Sequence, residues 1–102
     1  MFAIGSQAEN GLFSFVQNNS GHIYTWPDKK TAMVYFQESA DRLGHLYQIE
    51  PDLSIARLIE TGKGGASPQL VELTETQKTA LYQSFVYKSL LAWAPRTETI
   101  LV

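Results

Sequence analysis

The sequence predicts an α+β fold, a two-layer sandwich with two helices on one face of a mainly antiparallel sheet. Three observations carry this expectation. Short runs rich in aromatic and β-branched residues recur between turn signals, as at Leu12–Gln17, His22–Trp26 and His45–Glu50. Two other stretches have helical periodicity, one opened by Pro27-Asp28 and one by Thr74 with Gln77 three residues on. The order along the chain places single helices between groups of strands.

The totals set the class. At 102 residues the chain is read as a single domain spanning 1–102, with 44% hydrophobic and 18% charged residues, a globular composition. A net charge of -2, with Lys29-Lys30 as the longest basic run, argues against a protein that lives on nucleic-acid phosphates. The absence of cysteine excludes disulfides, thiolate catalysis and thiolate-bound zinc. No stretch approaches the roughly 18–20 apolar residues of a membrane span, and no basic-then-apolar leader is visible. A cytoplasmic protein, without nucleic-acid or membrane partners, is the expectation.

Met1–Ile4 reads as a first short strand, and Gly5–Gly11 as a polar turn. Leu12–Gln17 and His22–Trp26 read as a hairpin around Asn18-Asn19-Ser20-Gly21. With that four-residue loop Gln17 lies opposite His22, so Phe15 faces Tyr24 and Phe13 faces Trp26, all on one side of the ribbon. A slip of one residue would break this arrangement.

Asp28 suits the start of the first helix, where its carboxylate caps free N–H groups and meets the positive helix end. Ala32, Tyr35, Phe36, Ser39, Ala40 and Leu43 then form one apolar stripe, Glu38 and Arg42 pair on the outer side, and Gly44 supplies the stop. His45–Glu50 alternates as a strand. Leu53–Glu60 fits either a strand or a short helix capped by Asp52, and its Ile-rich alternation favours the strand. Gly62–Pro68 is read as a mobile loop, Gln69–Leu73 as a short strand, and Thr97–Val102 as a last one.

The second helix, Glu75 to about Ala92, opens with a capping box in which the Thr74 hydroxyl and the Gln77 amide satisfy each other's main-chain N–H groups. It is apolar nearly all round. Leu81, Phe85 and Ala92 fall on one face, Ala80, Tyr87 and Leu91 on another, and Tyr82, Val86, Leu90 and Trp93 cover most of the rest. A helix hydrophobic on every side is ordinarily buried on every side. Within the whole order sits β-α-β-β-α-β, the sequence of the ferredoxin-like sandwich, here with an extra N-terminal strand or hairpin. One face of such a sheet is left bare or meets a partner. That likeness is of fold alone and implies no activity.

Candidate chemistry is thin. Phe13, Phe15, Tyr24 and Trp26 resemble a base-stacking platform only in composition, because no basic residue interleaves with them; aromatic stripes at strand spacing are ordinarily core or interface. Gly62-Lys63-Gly64-Gly65 offers a glycine-rich nest with a lysine, but lacks the Ser or Thr that a P-loop needs. His22 and His45 each sit at a predicted strand start, where a surface position is usual, and Asp41 lies one helical turn before His45. No spacing offers a metal site, no serine sits in a nucleophile elbow, and no cofactor is expected. Asn18-Asn19-Ser20 matches a glycosylation acceptor but reads as a turn.

The sequence therefore points to a small non-enzymatic interaction or regulatory module acting as a homodimer, with Phe13, Phe15, Tyr24, Trp26, Tyr82, Val86 and Trp93 as interface residues. The alternative is a small-ligand-binding protein or enzyme of ferredoxin-like, dimeric α+β barrel type. Its aromatic-lined pocket would use His22, His45 and Lys63.

Overall fold

A computed structural model describes residues 1–18, 20–38, 44–63 and 65–93, with side chains of the last helix described through Val86. The described elements are β1 (Phe2–Gln7), β2 (Phe13–Phe15), β3 (Thr25–Trp26), α1 (Lys29–Glu38), β4 (His45–Ile49), β5 (Ile55–Glu60), β6 (Leu70–Glu72) and α2 (Glu75–Trp93). The fold is α+β. The strands form one antiparallel sheet in the order β2-β1-β4-β5-β6, with β3 also on β1. It is curled, since Gln7 on β1 bridges to Ala66 beyond β5 and one groove is lined by residues of both β2 and β6.

Several expectations agree with this picture. Residues 55–60 are strand, not helix. Both helix starts have the expected chemistry. Asp28 Oδ1 accepts the Thr31 N–H at 2.7 Å. Thr74 and Gln77 exchange their bonds at 3.0 and 3.1 Å. Ala32 and Phe36 are the buried positions of α1. The predicted positions Ser39, Ala40 and Leu43, the Glu38–Arg42 pair, the Asp41–His45 contact and the last strand at 97–102 lie outside the described residues.

Three expectations are corrected. The helices cover opposite faces of the sheet, not one. Ala32 and Phe36 of α1 pack with Phe2, Ile4 and Leu46. Leu81 of α2 packs with Ala3, Tyr47, Ile49 and Ala56. Neighbouring residues of β1 and β4 thus point into different cores, because successive side chains of a strand alternate in direction. Apolar residues in both registers require cover on both sides. Among the described residues, both faces of β1 and β4 are covered.

The strand order also differs from the ferredoxin-like expectation. β3 pairs with β1, Phe2 opposite Trp26 and Ala3 opposite Thr25, and β1 in turn pairs with β4. The N-terminal strand, treated in the sequence as an addition, is central and runs on through Gln7 into the segment read as a turn.

The third correction concerns the aromatic hairpin. β2 and β3 lie end to end along the same edge of β1, and the chain makes an excursion between them. In that excursion Gln17 bridges to Ile23, and Asn18 donates its N–H to the His22 carbonyl at 2.8 Å, one residue off the expected register. The cause is local. Asn18 Oδ1 accepts the N–H groups of Ser20 and His22, and Gly21 turns left-handed at φ 83°, so the loop closes with three residues. The shift separates the aromatics. Phe13 and Phe15 join the α2 core, while Trp26 joins the α1 core.

The β1–β2 turn has the same form: Gly11, at φ 84°, donates to the Ala8 carbonyl and Ala8 donates to the Leu12 carbonyl, each at 2.9 Å. The β4–β5 turn departs from it. Leu53 occupies the left-handed position at φ 59° and donates to the Glu50 carbonyl at 2.8 Å. A residue with a Cβ there costs roughly 1–2 kcal/mol, and Leu53 offsets part of this by packing against the α2-side core.

Candidate interaction surface

The surface of interest is built where three separated segments meet beside α2. Met1 is held because its carbonyl accepts the Ile49 N–H at 2.8 Å. Pro27 precedes the Asp28 cap, and Pro51 and Leu53 form the β4–β5 turn. Together with Tyr82 and Phe85 of α2 these residues line an apolar groove of about 440 Å³. Tyr82 is 61% exposed and Phe85 53% exposed. Large aromatic rings left this open next to an apolar groove are the kind of surface that marks interaction sites.

α2 itself explains why they are outside. Among its described side chains, those fully buried are Leu81 and Ser84. The Ser84 hydroxyl donates to the Ala80 carbonyl at 2.9 Å and accepts the buried Ile23 N–H at 3.0 Å. One turn before Leu81, Gln77 donates its amide to the Phe13 carbonyl at 2.9 Å. Over the described part of the helix the inward stripe is therefore Gln77, Leu81 and Ser84. Phe85, grouped with Leu81 by angle in the sequence, is displaced from it by a serine whose burial no local pattern signals.

The residues singled out in the sequence divide by location. Phe13 and Phe15 are buried, meeting edge to face at 5.1 Å, and Phe13 meets Tyr47 in the same way. Their rings are committed to the chain's own core. Tyr24 and Trp26 are half-buried and adjoin Tyr35 of α1, with Trp26 and Tyr35 ring centres 4.8 Å apart. Val86 is half-buried. The Trp93 side chain lies outside the described residues.

His45 corrects another expectation, because it is buried rather than at the surface. Its Nδ1 accepts the Gly62 N–H at 2.9 Å, which places the ring proton of the neutral form on Nε2. That Nε2 and the Tyr47 hydroxyl are buried without a hydrogen-bond partner among the described residues. Burial pushes the Tyr47 phenol up to about 12. His22 is half-buried in the excursion, and Lys63 is exposed with its carbonyl accepting the Gly44 N–H at 3.0 Å. None of the grooves described above is lined by His22, His45 or Lys63. The glycine-rich loop has spent two candidate anion donors, since Gly62 binds His45 and Ala66 donates to the Gln7 carbonyl at 3.3 Å.

Among the described residues no group of three or more His, Cys, Asp or Glu is placed to hold a metal ion, and no helix is long and apolar enough to cross a membrane. Comparison with protein-family models, curated proteins and solved structures gives no match to this chain.

The groove residues Met1, Pro27, Pro51 and Leu53 were not anticipated. They come from three places in the chain, and the one shared signal is the repeated Pro-Asp pair at 27–28 and 51–52, which marks two turns without saying that they converge.

Proposed function

We propose that this chain is a small, non-enzymatic interaction module that works as a cytoplasmic homodimer through the outward side of α2. The observation that carries the reading is the exposure of Tyr82 and Phe85 beside an apolar groove. The surface centres on Tyr82, Phe85 and Val86, with Trp93 as its continuation along the helix; Tyr24 and Trp26, which adjoin Tyr35 on the α1 side of the sheet, are not part of it. Phe13 and Phe15 leave the set, because a core ring is not available to a partner. Aromatic residues in such positions are common anchors of binding energy.

Analytical ultracentrifugation over a wide concentration range tests this. The expected result is a reversible monomer–dimer equilibrium that Tyr82→Glu and Phe85→Glu shift to monomer while thermal unfolding stays near that of the parent protein. A parent protein that stays monomeric at high concentration removes the proposal.

A second reading, a small-ligand-binding protein or enzyme, draws on a different observation. His45 Nε2 and the Tyr47 hydroxyl lie on one side of β4, buried and without a described partner. Here His45 contacts the ligand, with His22 and Lys63 as companions. Screening small carboxylates and aromatic compounds against the His45 ring signals in NMR checks it, and signals that never move count against it.

A further inference from the structure

We propose that Asn10 is a site of spontaneous covalent modification, losing its side-chain amide to attack by the Gly11 main-chain nitrogen and leaving aspartate or isoaspartate at the tip of the β1–β2 turn. The reaction makes three demands. The residue after the asparagine must leave its nitrogen unobstructed, and glycine does so because it carries no side chain. The site must be open to water. Asn10 and Gly11 are both exposed, and a Cβ placed on Gly11 would meet nothing within 4 Å. The main chain must also be able to leave its resting shape.

That last demand is met at a loop tip, where local opening is cheapest. Four bonds hold the turn: Gly11 N–H to the Ala8 carbonyl and Ala8 N–H to the Leu12 carbonyl, each at 2.9 Å, Leu12 N–H to Asn10 Oδ1 at 3.0 Å, and the Gln7 side-chain amide to the Gly11 carbonyl at 2.8 Å. When the first opens, the Gly11 nitrogen gives its proton to hydroxide and attacks Asn10 Cγ. The new N–Cγ bond closes a five-membered imide, and the Cγ–Nδ2 bond breaks with release of ammonia. Water then adds to one of the two ring carbonyls. Opening at the Cγ side restores the peptide link and leaves aspartate. Opening at the main-chain side routes the backbone through the former side chain and leaves isoaspartate. No electrons are gained or lost.

Asn18 supplies an internal contrast in a turn of the same shape. Its Oδ1 holds the N–H groups of Ser20 and His22 at 2.9 and 3.0 Å, it is half-buried, and the next residue, Asn19, carries a side chain. The modification at Asn10 would add a charge beside Glu9. In the isoaspartate form it would also add a main-chain carbon three residues before Phe13, whose ring is in the core.

The test is incubation of the purified protein at mildly alkaline pH in heavy-oxygen water, with peptide mapping by mass spectrometry. The Asn10 peptide should lose its amide, take up the label and separate into two forms, at least about tenfold faster than the Asn18 peptide, since glycine leaves the attacking nitrogen unobstructed and the Asn18 side chain is held by two main-chain N–H groups. Asn10→Gln should abolish the conversion and keep the folded spectrum. Urea-unfolded protein measures the chemistry without the turn. An Asn10 that stays intact in the folded protein while the unfolded chain converts overturns the proposal, and so does equal conversion at Asn10 and Asn18.

Discussion

The two helices hold to the sheet by different means. α1 is fastened by packing: Phe36 and Ala32 are buried against Phe2, Ile4 and Leu46, and Tyr35 lies against Trp26. Among the described side chains of α2, the helix is fastened by one large buried apolar residue, Leu81, and by two polar ones that reach main-chain groups, Gln77 at the Phe13 carbonyl and Ser84 at the Ile23 N–H. At about 1.5 Å per residue, the 19 residues of α2 also outrun the 5-residue strand β4, which at about 3.3 Å per residue is much shorter. The difference teaches that the first turns of an apolar helix can be seated by directional bonds and still leave aromatic rings outside. Directional bonds to the interrupted edge seat α2, and Tyr82 and Phe85 are left over.

The contrast can be broken at its strongest point first. Phe36→Ala should cost about 3–5 kcal/mol of unfolding free energy by urea titration, the range for a truncated core aromatic. A loss below about 1 kcal/mol would mean that α1 is not held by packing. Ser84→Ala removes the acceptor of a buried main-chain donor and should cost about 1–3 kcal/mol, although it deletes only one oxygen. If that variant is as stable as the parent, the polar account of α2 is wrong. Thr74→Ala breaks the reciprocal cap and should cost about 1 kcal/mol, read as the urea midpoint shift multiplied by the m-value. Tyr82→Ala should change stability by less than about 0.5 kcal/mol, because the ring is mostly outside the fold.

The smallest effect is a pH dependence at the start of α1. The Asp28 carboxyl is held below its ordinary range, first by the Thr31 N–H and then by the Thr31 hydroxyl. The Thr31 hydroxyl bond spans 3.0 Å. A depressed carboxylate stabilises the folded state above its unfolded pKa, and the contribution fades as pH falls through that value toward the folded one. Asp28→Asn keeps a capping oxygen but cannot titrate. Its stability below about pH 4 should fall less steeply than that of the parent, by urea melts at stepped pH. Asp52 behaves in the same sense through Ser54, so some acid sensitivity remains in the variant.

Much of the local structure was legible in the sequence. Asp28, the Thr74–Gln77 box, the stripe at Ala32 and Phe36 and the strand at Ile55–Glu60 are dictated by residues within a few positions of one another. What was not legible depended on distant choices. Phe2, Ala3 and Ile4 are apolar in both registers, so they do not say which helix goes to which face. Asn18 and Gly21 together close a loop one residue shorter than Gly21 alone suggests, and that single residue sends Phe13 and Trp26 to different cores. The candidate surface was half visible. Tyr82 and Val86 were marked by a helix with too many apolar sides, while Leu53 and the two prolines reach the site only through the folding of separate turns.

The interrupted edge has a consequence for how the chain accepts change. β2 and β3 each find their own place on β1, and what lies between them is fastened by its base, at the Gln17–Ile23 bridge and the Ser84 hydroxyl. Its tip at Ser20 is exposed. Lengthening a closed loop costs slowly, about 0.6 kcal/mol for each doubling. The tip is therefore a natural port for grafted residues, a place where a fluorophore tag or a recognition peptide would be displayed with little debt to the domain that carries it.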